Sequence, residues 1–330
     1  MQTVIVIGVI SFASPRALAV GLALAVPLTL TACGEGGESD PAVAGDCPTT
    51  PVDVVVSVEQ WGKIVTALGG ACADVTTVLS GNSGDPHDFE PTPADAAAFT
   101  GAQLVVINGG HYDEWAVRLA ESTAPDAVVV DAVALLGGDH EGHEHEDHDH
   151  DHGGANPHAW YSPAAVTDVA DAVTATLTEL APDARGYLEA RHTEFTAAMQ
   201  PYRALIDKIR AGATGKTYAA TESLFDDMAA ALGLTNRTPH GYQVASSNHA
   251  DPSPADLDAF LRLLSDRGVD VLIYNTQTEG SLPQQLRTAA ERAGVPVVDV
   301  TETPAPDAAT FEAWQVAQLT ALAAALGIEA

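Results

Sequence analysis

The chain has 330 residues and is strongly acidic, with 45 Asp and Glu against 14 Lys and Arg and a formal net charge of −31. A phosphate backbone carries the same sign of charge, so this composition argues against a nucleic-acid partner. It favours a cationic ligand or high solubility alone, and the length allows one large or two medium domains.

The start of the chain predicts an export signal. Residues 17–32 form an apolar run too short to cross a bilayer comfortably, and the letters LTACG at its end resemble a bacterial lipobox. We therefore expect residues 1–32 to be a lipoprotein signal peptide and Cys33 to become the lipidated N-terminus. A simple secretory signal is the alternative. Residues 33–50 are rich in Gly, Glu, Ser, Asp and Pro and predict a flexible tether.

Two cysteines, Cys47 and Cys72, remain after the lipobox. In an exported protein such a pair predicts a disulfide, which would join the start of the first strand region to the end of the first helix. Two reduced thiols are the alternative. A cysteine metal site is disfavoured because no CxxC spacing is present.

Short apolar runs alternate with helical stretches and predict parallel α/β sheets in both halves of the chain. The predicted strands are residues 52–58, 74–79, 104–108 and 128–131, and then 216–221, 269–275 and 295–300. Helices are predicted between the later strands at residues 224–232, 254–267 and 282–293. A helix capped by Ser162 should extend to about residue 180, and a second should cover 182–212 with a kink at Pro201.

Residues 139–152 are an acidic, histidine-rich segment without an apolar side chain, so we expect a solvated loop. Six of the twelve histidines lie there, namely His140, His143, His145, His148, His150 and His152. Neutral imidazoles among carboxylates predict a weak, multi-site scavenger of zinc or a similar ion. The alternatives are a solvated loop without a role, or a tract that binds metal only on a column.

Two further histidines, His87 and His158, lie in similar proline-flanked loops, DPHDFEPTPAD and NPHAWYSP. In both, a capping residue and a proline begin a helix just after the histidine, at Thr92 and Ser162. A single loop histidine is usually a solvated surface residue. Two in the same rigid context predict a pair of metal ligands, because stiff loops lower the entropy cost of holding ligand geometry.

The order of these motifs resembles the metal-binding lipoproteins of bacterial zinc and manganese ABC importers, the cluster A-I proteins. The motifs follow one another as the lipobox, DPHDFEPTPAD, NGGHYDEW, the histidine-rich loop, NPHAWYSP, a long helix and VDVLIYNTQTEGSLPQQLRTAAERAGVPVVDVTET. The final tract resembles zinc-type actinobacterial members in particular. The resemblance covers residues 52 to 328. It implies two α/β lobes, 51–181 and 213–330, joined by a rigid linker helix over 182–212, with the metal bound in the cleft between the lobes.

The resemblance also implies the metal ligands. The matching residues are His87, His158, Glu222 and Glu279, with Asn275 a weaker match for the fourth position. His111 stands where the family usually has a small residue, so it is a candidate for an additional ligand. Surface positions are expected for the remaining histidines of the second half, His240 and His249, and no function is expected for His192.

The predicted function is capture of zinc outside the cell and its delivery to an ABC permease and its ATPase. The protein would be a non-enzymatic monomer, anchored through Cys33 to the outer face of the cell membrane. The histidine-rich loop favours Zn²⁺ and Glu222 favours Mn²⁺, and we favour zinc.

Three alternatives remain: a manganese receptor of the same family, a secreted zinc hydrolase, and an adhesin or passive metal buffer. A hydrolase would need one open metal position. It is disfavoured because HExxH is absent and Glu222 would have to be both ligand and base.

Overall fold

The computed structural model describes residues 45–81, 86–87, 89–137, 156–248, 250–278, 280–305 and 308–329. The predicted signal peptide, Cys33, the six histidines of the 139–152 loop, Glu279 and His249 lie outside the described residues. Within the described ranges, no helix is both long enough and apolar enough to cross a membrane.

The first half of the chain forms a four-stranded parallel sheet, as predicted. Its strands are β1 (Val52–Val58), β2 (Ala73–Leu79), β3 (Leu104–Ile107) and β4 (Val128–Asp131), in the order β2-β1-β3-β4. The helices of this half are α1 (Glu59–Gly69), α2 (Pro93–Ala98), α3 (Glu114–Thr123) and α4 (Ala132–Leu136). Every residue of β3 is buried, which explains its uninterrupted apolar sequence. The four predicted strands agree with the observed ones to within one residue at each end.

The second half forms another four-stranded parallel sheet with the same strand order. Its strands are β5 (Thr217–Ala220), β6 (Thr235–Asn236), β7 (Val271–Asn275) and β8 (Val297–Val300), in the order β6-β5-β7-β8. Its helices are α8 (Asp226–Ala231), α9 (His240–Ser247), α10 (Pro254–Ser265), α11 (Ser281–Ala293) and α12 (Phe311–Leu326). The prediction missed β6, because two polar residues at a sheet edge carry no hydrophobic pattern.

The two sheets are connected through α5 (Pro163–Leu180), α6 (Arg185–Ala198) and α7 (Gln200–Gly212). The range predicted as one helix, 182–212, begins with a 3-10 turn and is then divided into α6 and α7 at Met199. Pro201 explains the division, because proline has no N–H and its ring clashes with the preceding turn. The kink is therefore confirmed as a break in the helix. The role of this segment as a rigid linker between lobes stays a prediction.

A continuous apolar core joins the two sheets. Its centre is aromatic: the ring of Tyr161, from the first half, lies 5.3 Å from Phe225 and 5.9 Å from Trp314, both from the second half. Such edge and tilted arrangements stabilise beyond the apolar area they bury. Packing therefore holds the ends of the two sheets close to each other.

The disulfide between Cys47 and Cys72 is confirmed. It ties the segment before β1 to the turn that follows α1, and Cys72 is fully buried. This cross-link closes the first strand and helix into a covalent loop.

Candidate metal centre

The strand order of both sheets places their switch points at equivalent positions, between β1 and β3 and between β5 and β7. In open parallel sheets, ligands bind beyond the carboxyl ends of the strands at such points. Asn108 follows β3, Glu222 lies two residues after β5, and Asn275 ends β7. The topology therefore gathers these polar residues at the carboxyl ends of the sheets.

Both predicted histidines contact the ring of Tyr112. The Tyr112 ring centroid is 4.7 Å from that of His87 and 6.0 Å from that of His158, both in edge contacts. His158 is 8% exposed and packs edge-on against Trp160. Proline-flanked loops more than 70 residues apart thus bring both imidazoles to one buried aromatic ring.

The ring of His158 is oriented by the loop that carries it. Its Nδ1 lies 2.9 Å from Oδ1 of Asn156, an acceptor, so Nδ1 carries the proton. Nε2 is then the nitrogen with the lone pair that a metal ion requires. The loop itself is fixed because the buried Asn108 donates from Nδ2 to the carbonyl of Pro157 at 2.6 Å.

Tyr112 is presented by a tight loop after β3. Gly109, Gly110 and His111 all have left-handed backbone angles, with φ of 77°, 59° and 65°. Glycine is required at 109, since a Cβ there would lie 2.0 Å from the Asp131 carboxylate. The buried Asp113 accepts the N–H groups of Asn108 and Gly109, and burial raises the pKa of Asp113.

Two carboxylates from the second half, Glu222 and Glu302, meet at the amide of Asn275. Asn275 Nδ2 donates to Glu222 Oε2 at 2.6 Å and to Glu302 Oε1 at 2.9 Å. The Thr278 hydroxyl donates to Glu222 Oε1. These donors are uncharged, so the bonds hold the carboxylates without neutralising them.

One hydrogen bond joins the two sets of side chains. The hydroxyl of Tyr112, whose ring contacts both histidines, donates to Glu302 Oε2 at 3.2 Å. Tyr112 therefore links the two imidazoles, through its ring, to the two carboxylates, through its hydroxyl and Asn275. Among the described residues, no three His, Cys, Asp or Glu side chains lie close enough together to coordinate one metal ion.

Glu302 was missed by the sequence reasoning, which assigned the fourth ligand to Glu279. The signal that could have indicated it is its position two residues after strand β8, at the same sheet edge as the other candidates. The geometry thus adds a carboxylate that the motif order did not indicate. Since Glu279 lies outside the described residues, its assignment stays a prediction.

Asn275 acts here as a hydrogen-bond donor to the two carboxylates. Its Oδ1 accepts the Gln277 N–H at 3.0 Å, so both ends of the amide have protein partners. Asn275 was the weaker candidate for the fourth ligand. Its observed contacts give it a supporting position instead.

His111 lies apart from this cluster on the surface. Its side chain is 87% exposed, and Nδ1 is 2.5 Å from Glu114 Oε1. The same imidazole lowers the pKa of Glu114. Whether His111 also ligates metal stays a prediction. Of the other histidines, His240 is exposed and His192 pairs with Asp171.

Two imidazoles and two carboxylates form a mixed nitrogen and oxygen donor set. Zn²⁺ accepts both donor types in four-coordinate sites, and Mn²⁺ accepts them with a preference for oxygen. The fold and the paired side chains define a two-sheet α/β protein with a candidate metal centre.

Solved structures share this architecture. A periplasmic metal-binding protein from Candidatus Liberibacter asiaticus superposes with a TM-score of 0.67 at 17% identity, over 83% of this chain and 99% of that chain. A mutant of the laminin-binding adhesin Lmb from Streptococcus agalactiae gives 0.65 at 20% identity, with the same coverage. At these identities, the likeness establishes the fold alone.

The family model described as zinc-uptake complex component A, periplasmic (ZnuA) matches residues 54–325, and the chain belongs to this family. The high-affinity zinc uptake system protein ZnuA of Bacillus subtilis is 29% identical over 253 residues, 75% of this chain and 77% of that protein. The zinc-binding lipoprotein AdcA of Streptococcus pneumoniae is 21% identical over 280 residues, 83% of this chain and 52% of that protein. The manganese-binding lipoprotein MntA of Halalkalibacterium halodurans is 29% identical over a shorter stretch, 39% of this chain and 40% of that protein.

Proposed function

We propose that this protein captures Zn²⁺ outside the cell and delivers it to an ABC importer, made of a permease and its ATPase. The observation that carries the proposal is the bond between Tyr112 and Glu302, which brings the imidazole pair and the carboxylate pair into one cluster. The ligands would be His87, His158, Glu222 and Glu302. Membership of a zinc-uptake family supports this receptor over the hydrolase considered from the sequence.

Zinc is the proposed cargo because of the donor set and the family. Two imidazoles favour metals late in the Irving–Williams order, whereas the two carboxylates also suit manganese. Relatives named as zinc-binding match over larger parts of the chain than the one named as manganese-binding. The histidine-rich segment, residues 139–152, would concentrate the same ion near the site.

Release follows from the division of the ligands between two halves of the chain. Two come from loops around the first sheet, and two follow strands of the second. A small displacement of one half on docking to the permease would remove ligands from the ion and weaken its binding. Such a receptor would stay at the cell surface through a lipid on Cys33 and would act as a monomer.

A competition titration tests the proposal. Zinc and manganese are titrated into the metal-stripped chain lacking residues 139–152, so that only the site at the sheet ends can bind. We expect tight one-to-one zinc binding that excess manganese does not displace. Tight manganese binding without a preference for zinc would make the protein a manganese receptor, and no tight site for either ion would contradict the assignment.

A further inference from the structure

A single buried amide lies between the two carboxylates of the proposed site. Asn275 is fully buried at the end of β7, and its two Nδ2 hydrogens are shared between Glu222 and Glu302. Asn275 Oδ1 accepts the Gln277 N–H, and this bond fixes which end of the amide faces the carboxylates. The backbone N–H of Asn275 in turn donates to Thr221 Oγ1 at 3.2 Å.

Gln277, two residues after Asn275, holds the backbone on either side of the Glu302 peptide. Gln277 Oε1 accepts the backbone N–H of Glu302 at 2.5 Å and that of Thr303 at 3.0 Å. Gln277 Nε2 donates to the Thr303 hydroxyl at 2.7 Å. Residues 275–277 therefore hold Glu302 at two points. Gln277 fixes its backbone, and the side-chain amide of Asn275 binds its carboxylate.

Two carboxylates that accept from the same amide nitrogen are close enough to repel each other. A lysine or arginine between them would cancel the charge that attracts a cation. An amide NH₂ group avoids both problems. It donates one hydrogen to each carboxylate and adds no net charge. A hydroxyl in its place could donate to only one of them.

We infer that Asn275 is a positioning residue, which sets the separation and direction of Glu222 and Glu302 for a divalent cation by donating to both, without ligating the ion. This role rests on the proposed function, since the cation is its cargo. Groups that orient metal ligands in this way commonly change metal affinity by about 10–100-fold when they are replaced.

The substitution Asn275→Asp tests whether Asn275 donates hydrogen bonds to the carboxylates or is itself a ligand of the metal ion. The two side chains have nearly the same shape, but the carboxylate replaces the donor with an acceptor. If Asn275 positions the ligands, N275D binds zinc about 10–100-fold more weakly in an isothermal or chelator-competition titration of the full chain. If Asn275 were a ligand through its oxygen, the added charge would tighten binding. Unchanged or tighter zinc binding by N275D overturns the inference.

Asn248→Asp is the matched control. Asn248 is exposed after α9, and the substitution makes the same change in net charge. We expect zinc affinity equal to that of the unmodified chain. A loss in N248D as large as in N275D would mean that the loss does not depend on the contact with the carboxylates, and would overturn the inference.

Cobalt substitution distinguishes positioning from general destabilisation. The visible bands of bound Co²⁺ report the geometry of its ligands, whereas partial unfolding only lowers the fraction bound. We expect N275D and Asn275→Ser, which keeps one donor, to shift these bands at saturating Co²⁺, with N275S closer to the unmodified chain. Spectra identical to that of the unmodified chain overturn the inference.

The two possible failures are distinguishable. Thermal unfolding of each variant shows that the folded protein is being measured, and N275S serves if N275D does not fold. If the unmodified chain binds neither zinc nor cobalt tightly, the proposed function fails and the inference fails with it. If the unmodified chain binds and both Asn275 variants bind equally well, only the role of Asn275 is wrong.

Discussion

At the scale of single residues, the polar side chains near the site are held by burial and directed bonds. Asp226, at the start of α8, accepts the Tyr218 hydroxyl at 2.7 Å and the Gln243 amide at 2.8 Å. Burial nevertheless raises the pKa of this carboxyl to about 6, since the two hydrogen bonds only partly offset the desolvation. Ionised Asp226 is thus a destabilising feature of the folded protein at neutral pH.

This pKa predicts how stability depends on pH. The folded-state pKa lies above the unfolded value of about 3.9, so the stabilising contribution of protonated Asp226 is complete below about pH 4 and is lost as the pH rises through about 6. Relative to Asp226→Asn, the wild-type chain should lose up to about 3 kcal/mol of unfolding free energy between pH 4 and pH 8. Urea titrations of both proteins across this range measure the difference. Parallel curves for the two proteins would show that Asp226 does not titrate in this way.

At the scale of secondary-structure elements, each ligand-type side chain is placed by the end of a strand or by a capped helix start. Thr92 and Asp95 form a reciprocal capping box at the start of α2, and the Ser162 hydroxyl accepts the Ala165 N–H at the start of α5. These caps fix where the loops of His87 and His158 end. Each cap therefore fixes the chain within five residues of its histidine, which restrains the backbone that carries a candidate ligand.

The disulfide between Cys47 and Cys72, which joins the segment before β1 to the turn after α1, should contribute measurably to the free energy of unfolding. It closes a loop with a sequence separation of 25, for which the chain-entropy model gives about 3.5 kcal/mol at 25 °C. We expect the Cys47→Ala, Cys72→Ala double variant to unfold at lower urea concentration by a comparable free energy. The reduced wild-type chain is the control and should match the variant. A difference below about 1 kcal/mol would mean that the reduced, unfolded chain keeps this region compact.

At the scale of the whole molecule, metal binding should stabilise both halves together, because the proposed ligands come from both. At a free zinc concentration one hundred times the dissociation constant, the unfolding free energy should rise by about 2.7 kcal/mol. Glu302→Gln keeps the shape but loses the charge. If it weakens binding about a hundredfold, the same zinc concentration leaves a gain of only about 0.4 kcal/mol.

Glu279→Gln is the matched comparison, since it makes the same chemical change at the residue that the sequence favoured as fourth ligand. Unfolding in the presence and absence of zinc is measured for both variants. We expect the zinc effect to survive in E279Q and to fall in E302Q. The reverse result would restore Glu279 as the ligand and reject Glu302.

The amino-acid sequence alone was sufficient to predict the strands of both parallel sheets, apart from β6, as well as the capped helix starts at Thr92 and Ser162, the disulfide partners and the two histidine loops. These features are encoded locally, by buried apolar runs, by caps and prolines next to the elements they limit, and by two cysteines in an exported chain. Composition left a cationic ligand and high solubility alone as the two options. Such signals do not depend on which distant residues pack against them.

Only the tertiary structure decided which distant side chains meet. Glu302 joins Glu222 through Asn275 and joins Tyr112 across 190 residues of sequence. A position just after a strand does not by itself separate Glu302 from Glu279, because each follows a strand of the second half by a few residues. The order of the strands in the sheet and the packing between the sheets place Glu302 beside Tyr112. That placement is a property of the folded chain, since it depends on long-range contacts that no local pattern encodes.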